Sequence, residues 1–186
     1  MRIIGGTRRG LKLAEVGEGD VAAHLRPTSD RVRESIFNLL INAHGNPVTG
    51  ARVLDLFAGT GALGLEALSR GALSSSFVDD GAKALALIRA NIAKMRAEGA
   101  TKVLRQDALR LGTNPGPGHD LVFLDPPYGK GMGEAALTAA LKGGWLAPEA
   151  LVVWEEGTAP AVPAGFAQVD QRRYGDTIVT LLRAPA

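Results

Sequence analysis

Arg52-Val53-Leu54-Asp55-Leu56-Phe57-Ala58-Gly59-Thr60-Gly61-Ala62-Leu63-Gly64 is the stretch from which the fold can be read. An apolar run over Arg52–Phe57 has the length of a short strand, and a helical pattern near Leu63–Ser69 follows it. Between them, Gly59 and Gly61 lack a Cβ, so the backbone there can take positive φ and come close to a ligand. The following helix aims free N–H groups and a partial positive charge at the same place. The spacing Gly59-x-Gly61-x-x-Gly64 also matches a dinucleotide fingerprint, so the glycines alone leave the ligand open.

Outward from this unit the pattern repeats. Ser75–Asp79 reads as a second strand and Ala82–Arg96 as an amphipathic helix. Lys102–Arg105 is a third strand that ends at Gln106-Asp107, and Asp120–Leu124 is a fourth that runs into Asp125-Pro126-Pro127-Tyr128. A helix near Glu134–Leu141 precedes a fifth strand at Leu151–Glu155. Ala167–Tyr174 and Thr177–Leu182 flank Gly175-Asp176, the pattern of a closing antiparallel hairpin. Alternating strands and helices predict a mostly parallel, Rossmann-like seven-stranded sheet covered by helices on both faces. Ligands bind such sheets beyond the carboxyl ends of the strands, where Ala58–Gly61, Asp79-Asp80, Gln106-Asp107 and Asp125–Tyr128 all fall, whereas the Pro/Gly-rich loop Thr113–Gly118 has no assigned role.

Three of those ends carry acids. A carboxylate just ahead of the glycines, Asp55, would repel a pyrophosphate but suits an ammonium group. S-adenosylmethionine carries an ammonium and a sulfonium and no phosphate; capping of loop N–H groups by Asp55 is compatible with that role. Asp79 lies 20 residues after Gly59, where a carboxylate can accept hydrogen bonds from ribose hydroxyls, and its neighbour Asp80 competes for the task. Asp107 is placed to accept from an adenine amino group while the Ala108 N–H donates to the ring.

Asp125-Pro126-Pro127-Tyr128 is the sharpest motif. Its two prolines fix φ and remove two donors directly after a strand. The Asp125 carboxylate and the Pro126 carbonyl can then face one bound group as acceptors. An exocyclic amine of a nucleobase is a poor nucleophile because its lone pair is delocalised. Two acceptors holding its hydrogens would orient that lone pair and stabilise the charge that develops on nitrogen. Tyr128 offers a flat face for stacking a base, worth roughly 1–3 kcal/mol.

The N-terminal part reads as a short β-hairpin over residues 2–13, then a helix capped near Thr28-Ser29-Asp30 and running to about Ala43. Residues 1–45 are read as an extension that covers the site and 46–186 as the catalytic domain. Residues 1–33 hold seven basic side chains against four acids, within a chain whose net charge is only +2. Arginines pair well with phosphates, which makes Arg8, Arg9, Arg26, Arg31 and Arg33 candidate nucleic-acid contacts, the alternative being a solvated basic surface with no partner. There are no cysteines, which excludes disulfides and thiolate metal sites, and His24, His44 and His119 are scattered, so no metal is expected. With no signal-like or membrane-spanning apolar run, a cytoplasmic protein is expected, and a monomer.

Asp55–Gly64 together with Asp125–Tyr128 resembles the class I amino-methyltransferases of nucleic acids. Arg2-Ile3-Ile4-Gly5-Gly6, Arg9-Gly10, Lys12-Leu13, Leu25-Arg26-Pro27-Thr28, Asp30-Arg31-Val32-Arg33-Glu34 and Phe37-Asn38 narrow the likeness to the RsmD family. It continues through Ala62–Gly71 and Gly144-Trp145-Leu146 and so covers nearly the whole chain. Members are 16S ribosomal RNA guanine-N2 methyltransferases acting on guanine 966 in the standard rRNA numbering. The resemblance implies that Asp55, Gly59 and Gly61 hold the methionine part of S-adenosylmethionine, with Phe57 also among the cofactor contacts. It assigns Asp79 to the ribose, although relatives often carry glutamate there, and Asp107 with Ala108 to the adenine. Asp125, Pro126, Pro127 and Tyr128 would position the amine, and the basic N-terminal segment would contact 16S rRNA or the small ribosomal subunit, including an assembly intermediate. An adenine-N6 methyltransferase of DNA or RNA would use the same tetrapeptide. A nicotinamide-dependent oxidoreductase would leave the tetrapeptide without a task, and a catalytically silent RNA-binding module would not need the methyl donor.

Overall fold

The computed structural model describes residues 1–17 and 28–186. Seven strands form one sheet: β1 (Arg52–Leu56), β2 (Ser74–Asp79), β3 (Thr101–Arg105), β4 (His119–Leu124), β5 (Leu146–Glu156), β6 (Ala167–Tyr174) and β7 (Thr177–Arg183). Their order is β3-β2-β1-β4-β5-β7-β6. The first five run parallel, and β7 joins β5 and β6 antiparallel. The strand order reverses between β1 and β4, which opens a crevice at their carboxyl ends.

Successive side chains on a strand point to opposite faces, and this alternation builds two layers. Val53, Leu121, Phe123, Leu151 and Val153 meet helix α1 (Asp30–Ala43) and helix α2 (Ala62–Ser69) through Ile36, Phe37, Leu40, Leu63 and Ala67. Phe77 packs with Ile88, Ile92 and Met95 of helix α3 (Ala82–Met95) on the same side. Leu54, Leu56, Val122, Leu124 and Trp154 face the other way, onto Ala136, Leu137 and Ala140 of helix α4 (Met132–Lys142). The parallel sheet covered on both faces is what the strand–helix alternation predicts, with its closing antiparallel hairpin, and the whole is the Rossmann-like class I methyltransferase architecture that the resemblance implies.

Helix α1 starts where its sequence allows a cap: the Ser29 hydroxyl accepts from Val32 N at 3.2 Å. The N-terminal hairpin is more irregular than its alternating polarity suggests. A single antiparallel bridge joins Arg2 to Lys12, and a 3-10 turn at Gly6–Arg8 occupies the bend. Its apolar side chains, Ile3 and Leu13, are buried against Phe77, Leu65 and Ile88.

That segment is fastened by buried polar groups. Glu66 of α2 is fully buried and accepts from Ile4 N and Gly5 N, both at 2.9 Å. The same carboxylate pairs with Arg70 at 2.8 Å and with Arg33 at 3.5 Å. The Arg70 guanidinium also lies 5.0 Å from the centre of the Phe37 ring. Asn91 of α3 accepts from Ala14 N at 2.6 Å and donates to Ala14 O at 3.0 Å and Thr60 O at 2.9 Å, which ties residue 14 to the glycine loop.

Arg33 corrects the sequence reading. It is wholly buried, donating to Asp30 and to the Arg2 carbonyl besides facing Glu66, so it is an internal clamp and has no surface to offer RNA. Arg8, Arg9 and Arg31 are exposed, while Arg26 lies outside the described residues. Among the described residues no helix is long and apolar enough to cross a membrane.

Candidate active site

A cavity of about 920 Å³ opens at the carboxyl ends of the strands, across the crevice between β1 and β4. It is lined by residues from the four strand-end motifs of the sequence, among them Asp55, Gly59, Asp79, Asp107, Asp125 and Tyr128. Phe57, Ala108, Pro126 and Pro127 also line it, whereas Gly61 does not, and a Cβ there would meet Phe77 and Ile88.

The glycine loop is held in a conformation its sequence permits only partly. Gly59 and Gly61 have φ of 60° and 80°, as expected of glycine, but Phe57 also has φ of 57°. A bulky residue in the left-handed region is strained, and such strain concentrates at functional sites. Gly64 serves a different end. Its N–H donates to Asp55 Oδ2 at 2.9 Å, and a Cβ there would fall 2.5 Å from Phe77 Cε1 and 2.6 Å from Ser75 Oγ. The glycine is what lets α2 lie directly on β2. Gly64→Ala is expected to destabilise the protein by about 1–3 kcal/mol, the range for overpacking a core. Urea unfolding of the variant checks this; an unchanged midpoint would mean that the helix can lift off without loss.

Asp55 is buried to 1% exposure on the sheet face beneath α1 and α2. Burial pushes its carboxyl well above the ordinary range; the Gly64 N–H partly offsets this, and Asp125 and Asp79 add to it. Since the folded-state value lies above the unfolded one, its contribution to stability is full in acid and is lost as pH climbs through the raised value. A cationic ligand beside it would reverse that loss.

Asp79 is half-buried and bonds backbone on both sides, accepting from Gly59 N at 3.0 Å and Gly81 N at 2.9 Å. Each carboxylate oxygen has a second lone pair, so acceptor capacity toward the cavity remains. Asp80 is exposed at the rim. Asp107 caps the 3-10 turn Ala108–Arg110 by accepting from Leu109 N at 2.9 Å.

Beyond β4, the Tyr128 hydroxyl lies 3.2 Å from Thr177 Oγ1. The ring is seated against Gly157, where a Cβ would come within 3.0 Å of it. Glu156 secures the loop after the tetrapeptide by accepting from Gly129 N and Gly157 N, each at 3.0 Å.

Among the site residues not singled out from sequence, three carry polar contacts central to its geometry. Thr28, read as part of a helix cap, instead reaches into the cavity, leaving the cap to Ser29. Its Oγ1 lies 3.1 Å from Asp125 Oδ2 and 3.1 and 3.2 Å from the two oxygens of Glu155. Glu155 is 2% exposed, and burial, followed by the charge of Asp125, pushes its carboxyl well above the usual range. Glu156 is the third. The available signal was two acids ending an otherwise apolar strand, where charge inside a sheet requires a partner.

The floor of the cavity therefore gathers carboxyls from the ends of β1, β4 and β5. Among the described residues none of these acids belongs to a group arranged to hold a metal ion. The donor set fits an organic cation held by acceptors on one side and a closely approaching glycine loop on the other, which is the requirement of a sulfonium methyl donor.

Fold and site together define a class I methyltransferase. The chain belongs to the RsmD family: the family model described as conserved hypothetical protein 95 matches residues 1–183. It is 38% identical over 190 aligned positions to the ribosomal RNA small subunit methyltransferase D of Escherichia coli, spanning 100% of this chain and 91% of that protein. The protein of the same name from Haemophilus influenzae is 36% identical over 83% of this chain and 78% of its own length. Among solved structures, the Escherichia coli protein yhhF matches with a TM-score of 0.81 at 37% identity, covering 100% of this chain and 98% of that one.

Proposed function

We propose that this chain transfers a methyl group from S-adenosylmethionine to the exocyclic N2 amine of one guanine in 16S ribosomal RNA, the position numbered 966. Membership of the RsmD family supports an rRNA substrate. The observation that carries the chemistry is the Asp125-Pro126-Pro127-Tyr128 loop beside a buried carboxyl floor at the β1/β4 crevice.

When bound, the donor supplies an electrophilic methyl group on a sulfonium. Asp55 and the glycine loop receive its amino-acid end, Asp79 or Asp80 the ribose, and Asp107 with the Ala108 N–H the adenine. The Asp125 carboxylate and the Pro126 carbonyl accept the two amine hydrogens, so the nitrogen lone pair faces the methyl group. Tyr128 stacks on the base, and its hydroxyl contact to Thr177 fixes the ring. Most of the rate comes from holding two reactants in line. The target base has to be unstacked, because an amine inside a duplex cannot reach this crevice.

Arg8, Arg9 and Arg31 form the exposed part of the RNA face in this reading. Arg31→Ala should weaken RNA binding and lower the magnitude of the salt slope by about 1. Filter binding across a salt series checks it, and an unchanged slope removes that arginine from the face.

The deciding assay is labelled methyl transfer to small-subunit RNA or particles from a strain lacking this protein. N2-methylguanosine at one position is the expected product. N6-methyladenosine would keep the site and overturn the substrate, and binding of the donor without transfer to either would overturn the rRNA reading.

A further inference from the structure

Two acids at the ends of neighbouring strands meet at one hydroxyl. β4 and β5 run in register to Leu124 and Trp154, so Asp125 and Glu155, each one residue further, sit side by side. Thr28 Oγ1 lies between them, within 3.2 Å of three of their oxygens. A hydroxyl has one hydrogen to give, and it cannot satisfy two ionised carboxylates fully. One further proton resolves the geometry: Glu155 donates to Thr28 Oγ1, and Thr28 donates to Asp125.

The surroundings favour that proton. Among the described residues, the charged groups facing Glu155 are Asp125 beyond β4, Asp55 at β1 and Arg33 on α1. Two of the three are acids, and the guanidinium of Arg33 is already engaged with Asp30 and Glu66. Burial at 2% exposure leaves water little access to ease the repulsion.

We propose that Glu155, Thr28 and Asp125 form a proton-holding chain: Glu155 carries a proton in the ligand-free protein, releases it when the cationic methyl donor enters, and regains one from the methylated amine. This rests on the methyltransferase reading above. In the transfer the carbon–sulfur bond breaks and its electron pair stays on sulfur, while the amine lone pair forms the new nitrogen–carbon bond. The nitrogen then carries one proton too many. Asp125 takes it, a proton passes from Asp125 to Thr28 Oγ1, and the Thr28 proton passes to Glu155. One positive charge leaves the sulfur and one proton enters the carboxyl chain, so the charge inside the cavity is unchanged. Asp125 touches the amine, and Glu155 is a positioning residue that acts through it.

The test is calorimetric titration of the protein with S-adenosylmethionine, and separately with S-adenosylhomocysteine, in buffers of different ionisation enthalpy near neutral pH. The unaltered protein should release a substantial fraction of one proton with the sulfonium compound and markedly less with the neutral thioether. Glu155→Gln should abolish the difference. In single-turnover methylation the rate should rise with pH through one ionisation, and this limb should vanish in Glu155→Gln. Thr28→Val, which keeps the volume but removes the bridging oxygen, should shift the limb even if the glutamine variant folds poorly. Equal proton release with both compounds, or a pH limb intact in both variants, overturns the proposal. Formation of N2-methylguanosine by a protein that releases no proton defeats this inference alone, whereas absence of donor binding defeats the reading on which it rests.

Discussion

Asp125→Ala should lower the rate of methyl transfer by roughly 10³-fold, the upper range for removing one group aimed at developing charge. Affinity for S-adenosylmethionine should stay within a few-fold of the unaltered protein. The two effects separate because Asp125 stands on the β4 side of the crevice, toward the base, while Asp55 and the glycine loop stand on the β1 side. Removing Asp125 also takes away one of the charges that raise Asp55 and Glu155, so Asp55 ionises more readily and can still meet an ammonium group. Single-turnover kinetics with saturating RNA, beside calorimetry of the donor alone, would measure both. A parallel loss of donor affinity would show that Asp125 serves the cofactor, and the division of labour across the crevice would fall.

A larger effect on stability is expected at Glu66, far from the reacting atoms. Glu66→Ala should lower unfolding stability by about 3–5 kcal/mol, the range for breaking a buried ion pair from one side. The variant takes from Arg33, itself wholly buried, one of its two acidic partners, and leaves Ile4 N and Gly5 N without their acceptor. Arg70 loses an ionic partner but keeps its place over Phe37. Chemical denaturation would give the magnitude, and limited proteolysis should cut first near the N-terminus. A loss below about 1 kcal/mol, the size of a surface pair, would mean that the network is more hydrated than its burial implies.

The sheet was legible in the sequence because each strand–helix unit carried its own punctuation. Asp55–Gly64 and Asp125–Tyr128 mark the ends of β1 and β4, and the alternation of Val53, Leu54 and their neighbours matches two buried faces. What escaped was set by tertiary contacts. Nothing local distinguishes Arg33, buried against Glu66, from Arg31 two positions earlier, which is exposed; only the helical phase of α1 separates them. Thr28 looked like a cap because Ser29, which does the capping, is its neighbour. Glu155 needed the register of two strands far apart in sequence before its pairing with Asp125 could be seen.

That register depends on an irregularity low in β5. Between His119↔Leu146 and Leu121↔Leu151, β5 spends five residues where β4 spends two, and Glu149 adopts a φ of 59° within this stretch. Side chains alternate, so a slip of one residue would exchange the faces of everything above it. A slip that put Glu156 in the place of Glu155 would carry Glu155 to the place of Trp154, on the α4 face, and leave Gly129 N and Gly157 N without their acceptor. The two adjacent glutamates make such a slip nearly silent in composition yet disruptive in geometry. Insertions and deletions at residues 147–150 are thus a sensitive dial on the active site, acting from the opposite end of the sheet.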